Sequence, residues 1–299
     1  MKKHLNNGSI LIVLAAILWA LDGIIRRNLY VLPAIIIVFY EHIIGVIIIS
    51  PFVLPSLFKK KIFTKKIVLL SVVIGILSGL LGTLWFTSAL ARVNFIPFSV
   101  VYLLQKLQPI FAISAAHFFL KEKLNKNYFK WAALALVSAY FVTFPNGVVN
   151  INTGSGTIMA ALLALGAAFA WGTSTVFSKM LLRETTHTIA TGLRFIFTSV
   201  FALLAVFVLK KQALLFDVNL SQISQFIFIA LSTGMVALWL YYKGLQKTQA
   251  KISTLLELVF PLLAVVIDAV LYKVVLAPSQ YFAGVVLIYS IVNLSKRNS

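Results

Sequence analysis

Long apolar stretches separated by short polar connections are the feature of this sequence that most constrains its fold. Ten stretches qualify, at 9–27, 33–54, 67–90, 96–120, 128–144, 155–180, 187–209, 220–243, 250–273 and 279–295. Each has roughly the 20 mostly apolar residues that an α-helix needs to cross the hydrocarbon core of a bilayer. Only 11% of the 299 residues are charged, whereas soluble domains carry about 25%. The sequence therefore predicts an all-α membrane protein with ten transmembrane helices.

The basic residues lie mostly in connections on one side of the predicted membrane. With the N-terminus placed inside, 18 of the 26 lysines and arginines fall in inside segments and 6 in outside segments, while Lys106 and Arg194 lie within helices. Positively charged connections stay on the cytoplasmic side. We therefore expect a multi-pass protein of the cytoplasmic (inner) membrane, with both termini in the cytoplasm. We expect no nucleic-acid partner, since the sequence contains no continuous basic face.

The composition excludes several kinds of chemistry. The chain has no cysteine, which rules out disulfides, thiolate metal sites and cysteine nucleophiles. We expect no metal site, because no His, Asp or Glu accompanies His42 at the helical spacing that metal ligands need. No ATP-binding motif is present and we expect no cofactor, so any energy that the protein uses would have to come from an ion or solute gradient. The first apolar stretch lacks a small-residue cleavage site and is expected to remain as a helix.

The second half of the chain repeats the first half with a shift of 152 residues. The shift, with a slip of two residues for the last pair, aligns Trp19 with Trp171, His42 with Arg194, Gln105 with Glu257, Pro109 with Pro261, and Trp85 with Trp239. Residues 1–148 and 149–299 are then two five-helix repeats. Because five is an odd number, the second repeat enters the membrane from the opposite side. Inverted repeats of this kind are a transporter architecture, with the binding site between the repeats near the bilayer midplane.

The two halves resemble the EamA-type families of the drug/metabolite transporter superfamily over essentially the whole chain. Each half begins with an apolar helix that carries a central Trp, and its fourth helix contains a Pro followed by small and apolar residues. In the first half that helix ends in Leu120-Lys121-Glu122-Lys123-Leu124. The second half departs from this pattern, with Lys273 and Val274 where an acid is expected. The resemblance implies a transporter of amino acids or related metabolites, often for export.

Ionisable side chains inside the predicted helices indicate a polar cavity. Each costs at least about 2.5–3.5 kcal/mol at the bilayer centre, so it usually faces a cavity or a partner. The residues concerned are Asp22, Glu41, His42, Lys106, Arg194, Glu257 and Asp268. Asp22 either pairs with Arg26 one turn away or lines the cavity. Glu41 and His42 are adjacent and cannot both face one cavity squarely, and we expect His42 to face it.

Polar residues at helical spacing define the candidate substrate site. Tyr102, Gln105, Lys106 and Pro109 share one face of the fourth predicted helix. Glu257 stands at the place of Gln105 in the second half, so Lys106 and Glu257 are either opposed charges of a cavity or an ion pair that locks the halves together. The candidate substrate-binding residues are Trp19, Asp22, His42, Trp85, Tyr102, Gln105, Lys106, Trp171, Ser174, Arg194, Trp239 and Glu257.

This pattern favours a secondary transporter that moves small organic metabolites by alternating access and is not an enzyme. Two alternatives stay open. A membrane-embedded enzyme acting on a lipid-like substrate would need clustered acidic or histidine groups, whereas the acids here are scattered over several helices. A channel would need a ring of equivalent carbonyl or charged residues, and none is visible in a single chain. The expected partners are a small-molecule substrate, the lipid bilayer and a coupling proton or other ion, with the chain as a monomer or homodimer.

Overall fold

Helices account for most of the described chain. The computed structural model describes residues 7–58, 63–93, 100–151, 154–273 and 275–296. The helices are α1 (Asn7–Ile25), α2 (Ala34–Leu57), α3 (Lys65–Ile74), α4 (Thr83–Arg92), α5 (Val100–Gln105), α6 (Gln108–Leu120), α7 (Lys126–Thr143), α8 (Thr157–Glu184), α9 (His187–Val208), α10 (Leu220–Leu231), α11 (Met235–Lys247), α12 (Ala250–Leu256), α13 (Val259–Tyr272) and α14 (Pro278–Lys296). A 3-10 turn at Arg27–Val31 follows α1, and a π-helical segment at Gly75–Gly82 joins α3 to α4.

Each predicted apolar stretch corresponds to one helix or to a consecutive pair of helices. The pairs are α3–α4, α5–α6, α10–α11 and α12–α13. Six helical segments of the described residues are long and apolar enough to cross a membrane, at Ala34–Ser56, Lys65–Arg92, Thr157–Glu184, His187–Val208, Leu220–Lys247 and Ala250–Leu271. Parts of α1 and α14 form shorter apolar helices. The predicted all-helical membrane architecture is confirmed at this level.

Large apolar side chains lie on the outside of the bundle. Phe282 is 75% exposed, Val270 is 71% exposed and Val285 is 69% exposed. Soluble proteins rarely expose contiguous apolar surface on a large scale. A bilayer solvates such surface, provided that the backbone groups are satisfied within the helices. The outer surface of the bundle therefore suits lipid.

Pro109 and Pro261 each lie just after an interruption in a helical unit. A proline has no N–H to donate and clashes with the carbonyl of the residue four positions before it, which is Gln105 for Pro109 and Glu257 for Pro261. Accordingly α5 ends at Gln105 and α12 at Leu256, and in both cases the next helix begins three residues later. The two breaks expose backbone and polar side chains inside the bundle, which is tolerated where a cavity is nearby.

The two ends of the bundle differ in composition. One end, called here the lysine-rich end, contains the helix ends and turns around Lys66, Glu122, Lys179, Thr248 and Lys251. Hydrogen bonds and ion pairs connect these segments, as between Lys66 and Glu184 at 2.6 Å and between Lys179 and the carbonyl oxygen of Thr248 at 2.8 Å. The other end, called the opposite end, contains the segments that connect α1 to α2 and α9 to α10.

Polar contacts between the two halves close the lysine-rich end. The two carboxylate oxygens of Glu122 accept the backbone N–H groups of Ala250 at 2.8 Å and Lys251 at 3.0 Å. The hydroxyl of Tyr128 donates to the carbonyl oxygen of Lys251 at 3.0 Å. Within the second half, the ammonium of Lys179 donates to three carbonyl oxygens at the carboxyl end of α11, those of Leu245, Gln246 and Thr248. Segments from both halves are therefore held together at this end.

Close backbone packing accompanies these contacts. α1 and α11 meet through Gly8 and Gly244, and a Cβ at Gly244 would lie 2.6 Å from the carbonyl oxygen of Gly8. Real Cβ atoms essentially never come so close to another heavy atom, so a larger residue at position 244 would push the helices apart. The first helix of one half is thus packed directly against a helix of the other half at the lysine-rich end.

Candidate functional site

A cavity of about 350 Å³ lies in the interior of the bundle and is lined by residues of both halves. Its lining reaches the opposite end, where Tyr30 lies in the turn after α1, Leu90 lies near the end of α4 and Tyr102 near the start of α5. Toward the lysine-rich end the lining stops inside the helices, at residues such as Ser178 and Thr254. The cavity is therefore a pocket that extends from the opposite end toward a closed lysine-rich end.

Most of the predicted site residues meet in this cavity. Its lining includes Trp19, Asp22, His42, Tyr102, Gln105, Lys106, Trp171, Ser174, Arg194 and Glu257. These residues come from α1, α2, α5, α8, α9 and the α5–α6 and α12–α13 breaks, so distant parts of the chain contribute to one cavity. Whether they bind a substrate stays a prediction.

Two predicted site residues, Trp85 and Trp239, do not line the cavity, and the assignment is corrected for both. The ring of Trp85 packs against Gly166 of α8, where a Cβ would lie 3.0 Å from the ring. The indole N–H of Trp239 donates to the hydroxyl of Thr188 at 2.9 Å, at the start of α9. Both rings are used in packing between helices. Phe86, which follows Trp85 in the chain, lines the cavity instead.

A group of paired charges lies in the part of the cavity toward the opposite end, called here the mouth. Arg26 donates through Nε to Asp22 at 2.7 Å and also forms an ion pair with Glu41. The hydroxyl of Thr233, in the break between α10 and α11, donates to the other oxygen of Asp22 at 2.5 Å. Asp22 thus both pairs with Arg26 and lines the cavity. The expectation that His42 rather than Glu41 would face the cavity is corrected, since both side chains line it.

Lys106 and Glu257 share the cavity without forming an ion pair with each other. Glu257 accepts a hydrogen bond from the hydroxyl of Tyr241 at 2.7 Å and another from the side-chain amide of Gln108 at 3.2 Å. The ammonium of Lys106 donates to Gln105 at 3.2 Å. Gln105 in turn donates to Gln108 at 3.4 Å. The two charges are therefore connected through two amides, and the alternative of a direct ion pair that locks the halves is wrong for this conformation.

Unpartnered polar atoms lie deeper in the cavity, toward the lysine-rich end. Within the described chain, Ser174 Oγ, Thr254 Oγ1 and Arg194 Nε are buried and have no hydrogen-bond partner. Ser174 and Thr254 are each 1% exposed. These three residues are called here the cavity floor. They belong to α8, α12 and α9 respectively, and all three line the cavity.

Tyr242 holds the guanidinium of Arg194 in place. Its hydroxyl accepts a hydrogen bond from Arg194 Nη1 at 3.4 Å and lies 2.9 Å from the hydroxyl of Ser178. The guanidinium carbon also lies 5.9 Å from the centre of the Tyr242 ring, which is within the range of a cation–π contact. Next to it, the His42 ring lies 4.9 Å from Phe195 and its Nδ1 is 2.7 Å from the carbonyl oxygen of Val38. His42 is thus engaged with its own helix.

Two pairs of aromatic rings line the cavity, and each pair is called here a wall. Trp19 lies 5.3 Å from Tyr241, and Phe86 lies 5.2 Å from Trp171, measured between ring centres. The indole N–H of Trp171 donates to the carbonyl oxygen of Ser78 at 3.1 Å, which fixes the ring. Aromatic walls with a few polar groups are typical of pockets for small organic ligands. The arrangement therefore suits a flat solute with polar edges.

Several lining residues are absent from the predicted set, among them Glu41, Phe86, Gln108, Tyr241 and Thr254. Gln108 is next to the polar stripe of the fourth predicted helix, and Thr254 is about one helical turn before Glu257 in the ninth, so the sequence contained a signal for them. Phe86 and Tyr241 carry no comparable signal, because aromatic residues are frequent throughout this chain, with 24 Phe and 10 Tyr.

Comparison with known proteins agrees with this fold and cavity. A model of the EamA-like transporter family matches residues 6–144 and again residues 158–295. The chain is 36% identical over 300 residues to a protein named riboflavin transporter ImpX of Fusobacterium nucleatum, and the match covers 100% of both chains. A crystal structure with 13% sequence identity superposes with a TM-score of 0.74 and covers 98% of each chain, which shows the same fold. The predicted resemblance is confirmed: the chain belongs to the EamA-like transporter family and is a membrane transporter of small metabolites.

Proposed function

We propose that this chain is a secondary transporter that moves riboflavin, or a similar flat and neutral heteroaromatic solute, across the cytoplasmic membrane by alternating access. The observation that carries the proposal is a cavity between the two halves whose aromatic walls enclose balanced charges. The full-length relative named as a riboflavin transporter supports the same solute class. A volume of about 350 Å³ falls within the range of pockets that hold drug-sized ligands and exceeds what a free amino acid would fill.

The charge balance of the cavity favours a neutral solute. Among the described lining residues, the acids are Asp22, Glu41 and Glu257, and the lysine and arginine residues are Arg26, Lys106 and Arg194. Their formal charges cancel. A phosphate monoester would bring about −1.5 to −2 charges, and an uncompensated charge is costly in a site of low dielectric. Riboflavin is uncharged at neutral pH, whereas its phosphate ester is not.

In transporters built from inverted repeats, alternating access is largely a rocking of one half against the other. We infer ten transmembrane helices in two inverted repeats, 1–148 and 149–299, and the separate matches of the family model to each half support this. If the lysine-rich end is cytoplasmic, as the excess of basic residues there favours, the cavity faces outward in this conformation. A reporter fused after Ser299 is then expected to read cytoplasmic and one at Asn146 external. A cytoplasmic signal at Asn146 would contradict the inverted repeat.

The direct test is binding and counterflow with the purified full-length chain. Flavin fluorescence quenching should show saturable binding of riboflavin, with flavin mononucleotide bound roughly tenfold more weakly or worse because of its charge. In liposomes preloaded with riboflavin, labelled riboflavin should accumulate transiently, which only a carrier produces. Trp239→Phe, outside the cavity, serves as the matched control for folding and should exchange like the wild type. Flux that rises linearly without saturation would indicate a channel, and chemical change of the flavin would indicate an enzyme.

A further inference from the structure

The hydrogen-bonding capacity of the cavity is unevenly distributed between its mouth and its floor. In the mouth, Arg26, Asp22 and Thr233 satisfy one another through contacts of 2.7 and 2.5 Å. Glu41 Oε1, also in the mouth, has no hydrogen-bond partner among the described residues but is ion-paired with Arg26. In the floor, the polar atoms of Ser174, Thr254 and Arg194 Nε are buried without a partner. Buried polar atoms in native proteins nearly always have a hydrogen-bond partner, and each exception requires an explanation. A ligand edge that supplies the missing partners is such an explanation.

The three floor groups line the cavity from three helices and offer a defined chemistry. Arg194 only donates, whereas the hydroxyls of Ser174 and Thr254 can donate or accept. Together they match an edge in which carbonyl oxygens flank a ring N–H, as in a pyrimidinedione. Because the guanidinium donates to the hydroxyl of Tyr242, which is 0% exposed and is itself hydrogen-bonded to Ser178, little ordering is needed when a ligand binds. Preorganised groups of this kind contribute more to specificity than mobile ones.

We propose that the floor binds the pyrimidinedione edge of the flavin ring, that Arg194 is a residue that determines specificity for this edge, and that the hydroxylated side chain of the solute points toward the mouth. This inference rests on the proposed function. The flat ring then lies between the Trp19–Tyr241 wall and the Phe86–Trp171 wall. The sugar-alcohol chain meets the carboxylates of Asp22 and Glu41, which accept hydrogen bonds from hydroxyls.

Two ligands that share the ring edge can distinguish contacts made at the floor from contacts made at the mouth. Lumichrome has the pyrimidinedione edge of riboflavin but lacks the hydroxylated chain. Arg194→Gln is expected to weaken binding of riboflavin and lumichrome by the same factor, roughly tenfold or more, as befits a lost hydrogen bond from a charged donor. Asp22→Asn is expected to weaken riboflavin more than lumichrome. Dissociation constants are measured by flavin fluorescence quenching on the full-length chain in micelles.

Further variants keep the test independent of folding defects. Arg194→Lys keeps the charge but loses the planar fork, and it should weaken both ligands less than Arg194→Gln does. Ser174→Ala and Thr254→Val should each lower the affinity for both ligands together, about two- to tenfold for a neutral hydrogen bond. Trp239→Phe should leave both affinities unchanged. Elution as a single monodisperse peak identifies the variants that are folded.

The possible results test the proposed orientation of the ligand and the proposed function of the chain separately. If the wild type binds both ligands and Arg194→Gln weakens only riboflavin, the hydroxylated chain lies at the floor and the proposed orientation is overturned. If Arg194→Gln, Ser174→Ala and Thr254→Val all leave both affinities unchanged, the floor does not contact the ligand and the inference fails while the proposed function stands. If the folded wild type binds neither ligand, the proposed function fails first and the inference with it.

Discussion

The helix pairs α5–α6 and α12–α13 have corresponding backbones but are followed by different chemistry. Both pairs break just before a proline, Pro109 or Pro261, and both end in a lysine with left-handed backbone angles, with φ 56° at Lys121 and φ 54° at Lys273. The two lysines are separated by the same shift of 152 residues that aligns the two halves. Non-glycine residues rarely adopt positive φ. The recurrence of a positive φ at corresponding positions indicates that the backbone conformation is repeated in the two halves.

The two halves differ in the residue that follows each of these lysines. Glu122 places its carboxylate on the first backbone N–H groups of α12, at 2.8 and 3.0 Å, where a helix N-terminus favours negative charge. At the corresponding position of the second half the sequence has Val274, which lies outside the described residues and whose side chain cannot accept a hydrogen bond. The repeat therefore supplies a common backbone, while single side chains make the two ends of the transporter chemically unequal. We infer that Glu122 biases the chain toward the conformation closed at the lysine-rich end.

The largest expected effect of this inequality is on thiol labelling at the two ends. Because the chain contains no cysteine, single cysteines can be introduced without background. Thr83 lines the cavity, so a cysteine introduced there is expected to be accessible. Thr248 is 6% exposed at the closed end, so a cysteine introduced there is expected to be buried. A polar maleimide should label position 83 roughly tenfold faster or more, since a buried thiol reacts only after local opening. Equal rates would show that the lysine-rich end is not closed.

Removal of the Glu122 charge is expected to have the next largest effect. Glu122→Gln exchanges charge-assisted hydrogen bonds for weaker neutral ones and should destabilise the closed end by about 1–2 kcal/mol. In the Thr248→Cys background this appears as faster maleimide labelling, by roughly tenfold. Labelling at position 83 should change much less. An unchanged rate at position 248 would mean that helix packing through Gly8 and Gly244, rather than Glu122, keeps this end closed.

The fold could be predicted further from the sequence than the site could. Apolar length predicted the helical stretches, and Pro109 and Pro261 explain two of the breaks within them, because both effects depend on local chemistry. Which face of a helix points inward was harder to predict, since lipid and helix interfaces are both apolar and hydrophobic periodicity is weak in such helices. For this reason Trp85 was expected in the cavity where Phe86 lies. That Lys106 and Glu257 share one cavity was predictable, but their separate hydrogen-bond partners were not.

A smaller effect is expected for the exposed ion pair at the same end as Glu122. Lys66 and Glu184 lie 2.6 Å apart, with side chains 59% and 33% exposed. Solvent screens such pairs, so a double-mutant cycle of Lys66→Ala and Glu184→Gln should give a coupling of about 0.2–1 kcal/mol. Glu184→Gln is also the matched control for Glu122→Gln, because it removes an acid nearby without touching α12. Faster labelling at position 248 in Glu184→Gln would show that loss of any acid at this end opens it, and not specifically loss of the contacts between Glu122 and α12.

The smallest expected coupling joins the two broken helices themselves, between Lys106 and Glu257. If a buried lysine and glutamate were directly paired, removal of one partner would lower the free energy of unfolding by about 3–5 kcal/mol. The double variant would recover much of that loss. Here Glu257 is held by Tyr241 and Gln108, and Lys106 by Gln105. Lys106→Met and Glu257→Gln should therefore destabilise the chain independently, with a coupling within about 0.5 kcal/mol in a thermal-unfolding cycle.

The matched control is a cycle of Glu257→Gln with Tyr241→Phe, which are in contact and should couple clearly. Strong coupling between Lys106 and Glu257 would mean that the two broken helices bring their charges together in another conformation of the transport cycle, and that the amide chain through Gln105 and Gln108 is only one of its states.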